Sequence, residues 1–142
     1  MIIATGTSYY ASLFVINLFR KLDIFNTVQL IDACEFDSFH IPKENPIALI
    51  VSQSGESKEI LSSLEILKSN GIICIGIVNK VESTLAREVL CGVFVNAGRE
   101  ISVASTKAFS GQFVCLCLVA LFFSQIKNES KYNNKHLTFN IY

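Results

Sequence analysis

A chain of 142 residues holds one domain of ordinary size, and its 51% hydrophobic and 17% charged content excludes an intrinsically disordered protein. The formal net charge is +0, with Lys and Arg scattered rather than striped, which removes the electrostatic footprint of a nucleic-acid binder. Cys34, Cys74, Cys91, Cys115 and Cys117 form no Cys-x-x-Cys pair and are odd in number, so they read as buried thiols in a reducing, cytoplasmic setting rather than a disulfide framework. His40 and His136 stand alone, and no metal or cofactor set surrounds them. Met1 leads straight into apolar residues without a basic stretch, so no signal peptide is expected.

Ile2 to Ala4 reads as a first strand, and Gly6-Thr7-Ser8 follows it. A helix is expected over Tyr9 to Leu22, with Ala11, Phe14, Val15, Leu18 and Phe19 at helical spacing. Val28 to Ile31 is a second strand and Ile47 to Val51 a third. The third ends in Ser52-Gln53-Ser54-Gly55-Glu56-Ser57 and opens an amphipathic helix over Lys58 to Asn70, whose stripe is Ile60, Leu61, Leu64 and Leu67. Asn70-Gly71 stops it. A fourth strand over Ile72 to Val78, a short helix around Ser83 to Glu88 and a fifth strand over Gly92 to Val95 complete the alternation.

The last helix is expected over Thr106 to Ile126. Its dense run Phe113 to Phe123 is about half the length of a membrane span, which predicts a core helix and no membrane. The polar residues after it predict a disordered tail over 127–142. Continuously apolar strands alternating with helices predict an α/β fold, a three-layer α/β/α sandwich around a five-stranded parallel sheet of flavodoxin-like type. Ligands in such sheets bind beyond the carboxyl ends of the strands, where the hydroxyl loops fall.

Three hydroxyl clusters precede helices: Thr7-Ser8, Ser52-Gln53-Ser54 with Ser57, and Ser102-Val103-Ala104-Ser105-Thr106. Ser and Thr are favoured as helix N-caps with or without a ligand, so one cluster alone says little. Three of them, with glycines alongside, point to a shared site for a phosphorylated polyol, because open helix N–H groups and rotatable hydroxyls suit an anion. Glu56 reads as a favourable charge in a first helical turn, and Lys107 either meets an anion or reaches solvent. No Ser-His-Asp set, paired carboxylates or Gly-x-Gly-x-x-Gly is present to carry catalysis.

Ala4-Thr5-Gly6-Thr7-Ser8-Tyr9, Ser52 to Ser57, Leu85-Ala86-Arg87-Glu88 and Val103 to Phe109 occur in that order. They closely resemble the first sugar isomerase (SIS) domain of the isomerising glutamine–fructose-6-phosphate aminotransferases, over residues from Met1 to about Gln125. The resemblance implies that Ser52, Gln53, Ser54 and Ser57 hold the sugar phosphate. It implies further that Thr7 and Ser8 contact phosphate or sugar hydroxyls, and that Val103 and Ser105 line the sugar. Ser57 stands where threonine is usual, Thr5 where cysteine is common, and Gly98-Arg99-Glu100 where Gly-Pro-Glu is usual.

Members of that family also carry a glutaminase domain and a second SIS domain, which supplies acid/base glutamate, lysine and histidine. None of these is recognised in this sequence, nor is the helix that usually precedes the first strand. One SIS domain over 1–126 is therefore expected, binding fructose 6-phosphate or glucosamine 6-phosphate without turnover alone, as a homodimer or paired with a second SIS domain. The alternative is a non-catalytic phosphosugar-binding regulatory or partner module.

Overall fold

The computed structural model describes residues 1–98 and 106–139, with side chains as far as residue 130. Five short apolar runs pair side by side into a parallel sheet: β1 (Ile2–Ala4), β2 (Leu30–Asp32), β3 (Ile47–Ser52), β4 (Ile73–Val78) and β5 (Cys91–Phe94). Their order across the sheet is β2-β1-β3-β4-β5. Helices α1 (Gly6–Lys21), α2 (Lys58–Ser69), α3 (Thr84–Glu88) and α4 (Thr106–Phe139) accompany them, and a short 3-10 turn (Ser38–His40) lies before β3.

The strands are apolar throughout because both faces of the sheet are covered. Successive side chains point to opposite faces, so each strand feeds two cores. Ile2, Ala4, Leu49, Val51 and Ile77 pack on the side of α1 and α4, with Val15, Phe19, Leu116, Val119 and Ala120. Ile3, Ala48, Ile50, Cys74 and Val78 pack on the other side, with Ile60, Leu64, Leu67 and Leu85 from α2 and α3. This is the expected three-layer sandwich.

Helix α1 buries Ser8, Ala11, Ser12, Val15, Ile16 and Phe19 at spacings of three and one. Its inward face therefore includes two serines, and Phe14, expected inside, lies outside. Helix α2 ends in a Schellman motif: Gly71 adopts φ +69°, Ile72 N–H donates to Leu67 O at 3.0 Å and Gly71 N–H to Lys68 O at 3.0 Å.

Helix α4 differs from expectation in two ways. It runs on past Ile126 to Phe139, where a disordered tail was expected, and Lys127 donates to the Asp23 carbonyl just beyond α1. It is also two-faced. Ala108, Gln112, Cys115, Leu116, Val119 and Ala120 are buried, whereas Phe113, Val114, Leu118, Leu121, Phe122 and Ile126 are exposed. The 25-residue stretch Thr106–Ser130 is long and apolar enough to cross a membrane by length and composition, and 22% of its apolar window is buried in the fold. The core helix expected over Thr106 to Ile126 is thus a longer helix with one buried face.

The cysteines correct a second expectation. Cys74 and Cys115 are buried, but Cys34 and Cys91 are exposed and Cys117 is half-buried; all five are free. Strand β5, at the sheet edge, is exposed along its length, which accounts for Cys91. A cavity of about 580 Å³ opens at the amino-terminal ends of the strands, between Met1, Phe19, Phe25, Pro42 and Leu49. It lies at the opposite end from the hydroxyl loops.

Candidate anion-binding site at the strand switch point

The chain reverses its direction of winding between β1 and β3, which are neighbours in the sheet although β2 separates them in sequence. Ala4 pairs with Val51, so the loop leaving β1 and the loop leaving β3 emerge side by side at the carboxyl edge. Such a switch point is the crevice where open parallel sheets take ligands. Thr7 and Ser8 come to it from β1, and Ser52, Gln53, Ser54 and Ser57 from β3. Val103 and Ser105 lie outside the described residues.

Thr7 and Ser8 belong to the first turn of α1, which starts at Gly6 rather than Tyr9. Its N-cap, Thr5, makes no side-chain cap bond; the Thr5 hydroxyl lies 3.6 Å from the Cys34 sulfur instead. Ser57 is the N-cap of α2 and likewise makes no side-chain cap bond. The contrast is Ser83, the N-cap of α3, whose hydroxyl accepts from Ala86 N–H at 3.2 Å. At the two helices that face the switch point, the caps leave the first-turn N–H groups without a side-chain acceptor.

The β3–α2 loop is shaped by its own hydroxyls. Buried Ser52 Oγ accepts from Gly55 N–H at 2.9 Å, and Ser54 Oγ accepts from Glu56 N–H at 3.2 Å. The loop is also wedged against the start of α3. Gly55 carries φ +66°, and a Cβ there would lie 2.3 Å from Ser83 Oγ and 2.9 Å from Val78 Cγ2. Its carbonyl accepts from Leu85 N–H at 3.1 Å. Glu56 Oε1 accepts from Thr84 N–H at 2.9 Å. That backbone hydrogen bond, followed by the Thr84 side chain and the positive Lys80 and Arg87, holds the Glu56 carboxyl below its ordinary value.

Glu56 thus differs from its sequence reading. It precedes the cap of α2 and serves the N-terminus of α3, so its charge is engaged away from the α2 amides. Lys107 is exposed.

Sequence reasoning missed Gln112. It is 1% exposed, and its Nε2 donates to the buried Ser8 Oγ at 2.9 Å, joining α4 to α1. The available signal was a lone amide inside the apolar stretch from Phe109 to Phe123. Among the described residues no group of His, Cys, Asp and Glu could hold a metal ion.

A doubly wound 2-1-3-4-5 parallel sheet with hydroxyl-rich loops gathered at its switch point defines the class of this protein. The SIS domain family matches residues 1–122, and the chain belongs to that family. It is 42% identical over 124 residues to the isomerising glutamine–fructose-6-phosphate aminotransferase of Encephalitozoon cuniculi, across 84% of this chain and 17% of the relative. The Chlorobaculum tepidum aminotransferase is 38% identical over 135 residues, 92% of this chain and 21% of that one. This chain therefore spans about a fifth of the length of such relatives.

Among solved structures, the C-terminal domain of glucosamine-fructose-6-phosphate aminotransferase from Francisella tularensis superposes with a TM-score of 0.78 at 32% identity, over 89% of this chain and 36% of that chain. Glucosamine-6-phosphate deaminase from Thermotoga maritima superposes with a TM-score of 0.75 at 28% identity, over 87% and 39%. The chain is homologous to the isomerase part of the aminotransferases.

Proposed function

We propose that this chain binds a hexose 6-phosphate, fructose 6-phosphate or glucosamine 6-phosphate, with the phosphate at the N-termini of α1 and α2. The observation that carries this reading is the contrast between caps: Thr5 and Ser57 leave their helix amides open at the switch point, while Ser83 closes its own. Open amides and the positive dipole ends favour an oxyanion. Ser54, Ser57 and Thr7 add hydroxyl donors, Gln53 an amide, and Ser52 holds the loop through Gly55. Val103 and Ser105 complete the sugar side in this proposal. The names of the relatives, a fructose-6-phosphate aminotransferase and a glucosamine-6-phosphate deaminase, support the same ligand class. The chain's own share of the chemistry is binding and orientation.

Calorimetric titration with fructose 6-phosphate tests this. The folded chain is expected to bind, and Ser54→Ala combined with Ser57→Ala to lose about a hundredfold in affinity, as two hydrogen bonds to a charged group disappear. No heat at millimolar ligand with a folded protein overturns it.

We further propose that the exposed apolar faces of α1 and α4 are covered by a second copy of the chain or a second SIS domain. Leu13 and Phe14 on α1 and Phe113, Leu118, Leu121 and Phe122 on α4 are large apolar side chains left exposed on two helices packed against each other, and exposed apolar surface of this kind favours a partner. Light scattering should report a dimer that Leu118→Glu with Phe122→Glu converts to monomer; a wild-type monomer overturns the homodimer. Five free thiols fit the reducing cytoplasm.

A further inference from the structure

Gln112 and Ser8 stand 104 positions apart in sequence, and both are buried, at 1% and 6% exposure. The amide donates to the hydroxyl, and Ser8 is fixed a second time through its carbonyl, which accepts from Ser12 Oγ at 2.9 Å. Gln112 Oε1 is buried with no hydrogen-bond partner, the one such side-chain atom among the described residues. An orphaned carbonyl is unfavourable, and an apolar side chain of the same shape would avoid it.

In this orientation the amide N–H is donated to Ser8 and the carbonyl is the group left unpaired, which is commoner in folded proteins than an orphaned N–H. A serine hydroxyl has one proton to give and two lone pairs. With one lone pair taken by Gln112, its proton is free for an acceptor at the switch point.

We infer that Gln112 is a positioning residue for the ligand: its amide holds the Ser8 hydroxyl as a donor toward a bound phosphate oxygen. The inference rests on the proposed phosphate cradle and, within it, on the expectation that Ser8 contacts phosphate or sugar hydroxyls. It places a determinant of anion affinity inside α4, on the far side of α1 from solvent, where a docking helix sets the polarity of a hydroxyl in the neighbouring one.

Two substitutions separate positioning from packing. Gln112→Met keeps the volume and removes the donor. Gln112→Glu makes the same hydrogen bond when protonated, but when ionised its carboxylate accepts the Ser8 proton and repels phosphate. Burial raises the onset of that ionisation. The titratable side chains flanking this pair along α1 and α4 are Tyr9, Tyr10, Lys107 and Cys115, and burial pushes the Cys115 thiol up.

The full chain, its Gln112→Met variant and its Gln112→Glu variant are titrated calorimetrically with fructose 6-phosphate and with inorganic phosphate between pH 5.5 and 8. Gln112→Met is expected to bind both about tenfold more weakly, the loss of one hydrogen bond to a charged group. Wild-type affinity should rise with pH as the phosphate takes its second charge near pH 6. Gln112→Glu should run the opposite way, near wild type at pH 5.5 and falling as pH increases.

Unchanged affinity in Gln112→Met, or parallel pH profiles for wild type and Gln112→Glu, overturns the inference while leaving the phosphate cradle standing. A folded wild type that binds neither probe overturns the cradle and the inference together. If Gln112→Met does not fold, the direction of the Gln112→Glu profile decides.

Discussion

At Gly55 the backbone has a positive φ, and the space where a Cβ would sit is filled by Ser83 and Val78. Gly55→Ala meets both the left-handed backbone and a side-chain overlap, which together cost about 2–4 kcal/mol. A lowered urea midpoint should show it, and fructose 6-phosphate affinity should fall as the loop shifts. Ser83→Ala should cost about 1 kcal/mol through the lost cap of α3, measurable by the same denaturation. The hydroxyls of the β3–α2 loop were legible in the sequence because serine, glycine and a following helical stripe announce an open helix start. Their supports were not: Ser83, Thr84 and Leu85 meet Gly55 and Glu56 only because β4 lies beside β3, a fact of sheet order. Ser8 was legible for the same reason as Ser54, whereas its tie to Gln112 depends on how α4 docks against α1.

Among the elements, α4 carries the most uneven surface. Its buried stripe packs on α1 and β4 through Leu116, Val119 and Ala120. Leu116 is fully buried, so Leu116→Ala should cost about 2–5 kcal/mol, read from the urea midpoint with an unchanged slope. The strands and α2 were read closely from the sequence, since uninterrupted Ile, Leu and Val mark a sheet covered on both sides and the α2 stripe is regular. In helix α1 the inward Ala11, Val15 and Phe19 were legible but Phe14 was misplaced, because two of the inward positions, Ser8 and Ser12, are polar. The continuation of α4 was missed because asparagine is a poor helix former, and local propensity gave no sign that Lys127 would dock on Asp23.

At the scale of the whole molecule, a pH dependence near neutrality arises at the start of β1. The Met1 ammonium donates to Ile47 O at 2.8 Å, and desolvation by burial lowers its pKa from 8.0 to about 6. Between those values the unfolded 142-residue chain holds a proton that the folded chain does not, so stability should rise from pH 6 to pH 8. The gain is about 2–3 kcal/mol for a shift of about two units. Denaturation at several pH values checks this, and acetylation of the amino group should flatten the rise.

The unclosed caps at Thr5 and Ser57 have a further consequence for how the protein behaves in a test tube. If these amides take a phosphate ester, as proposed, they should not distinguish it sharply from sulfate or inorganic phosphate, and any tetrahedral oxyanion in the buffer should act as a stabilising ligand. At ten times its dissociation constant such an ion adds about 1.4 kcal/mol by mass action. Melting temperatures taken in phosphate and in chloride should therefore diverge, and diverge less for the Ser54→Ala, Ser57→Ala double variant. The stability of this chain is then a quantity shared between its sequence and the salt it is dissolved in.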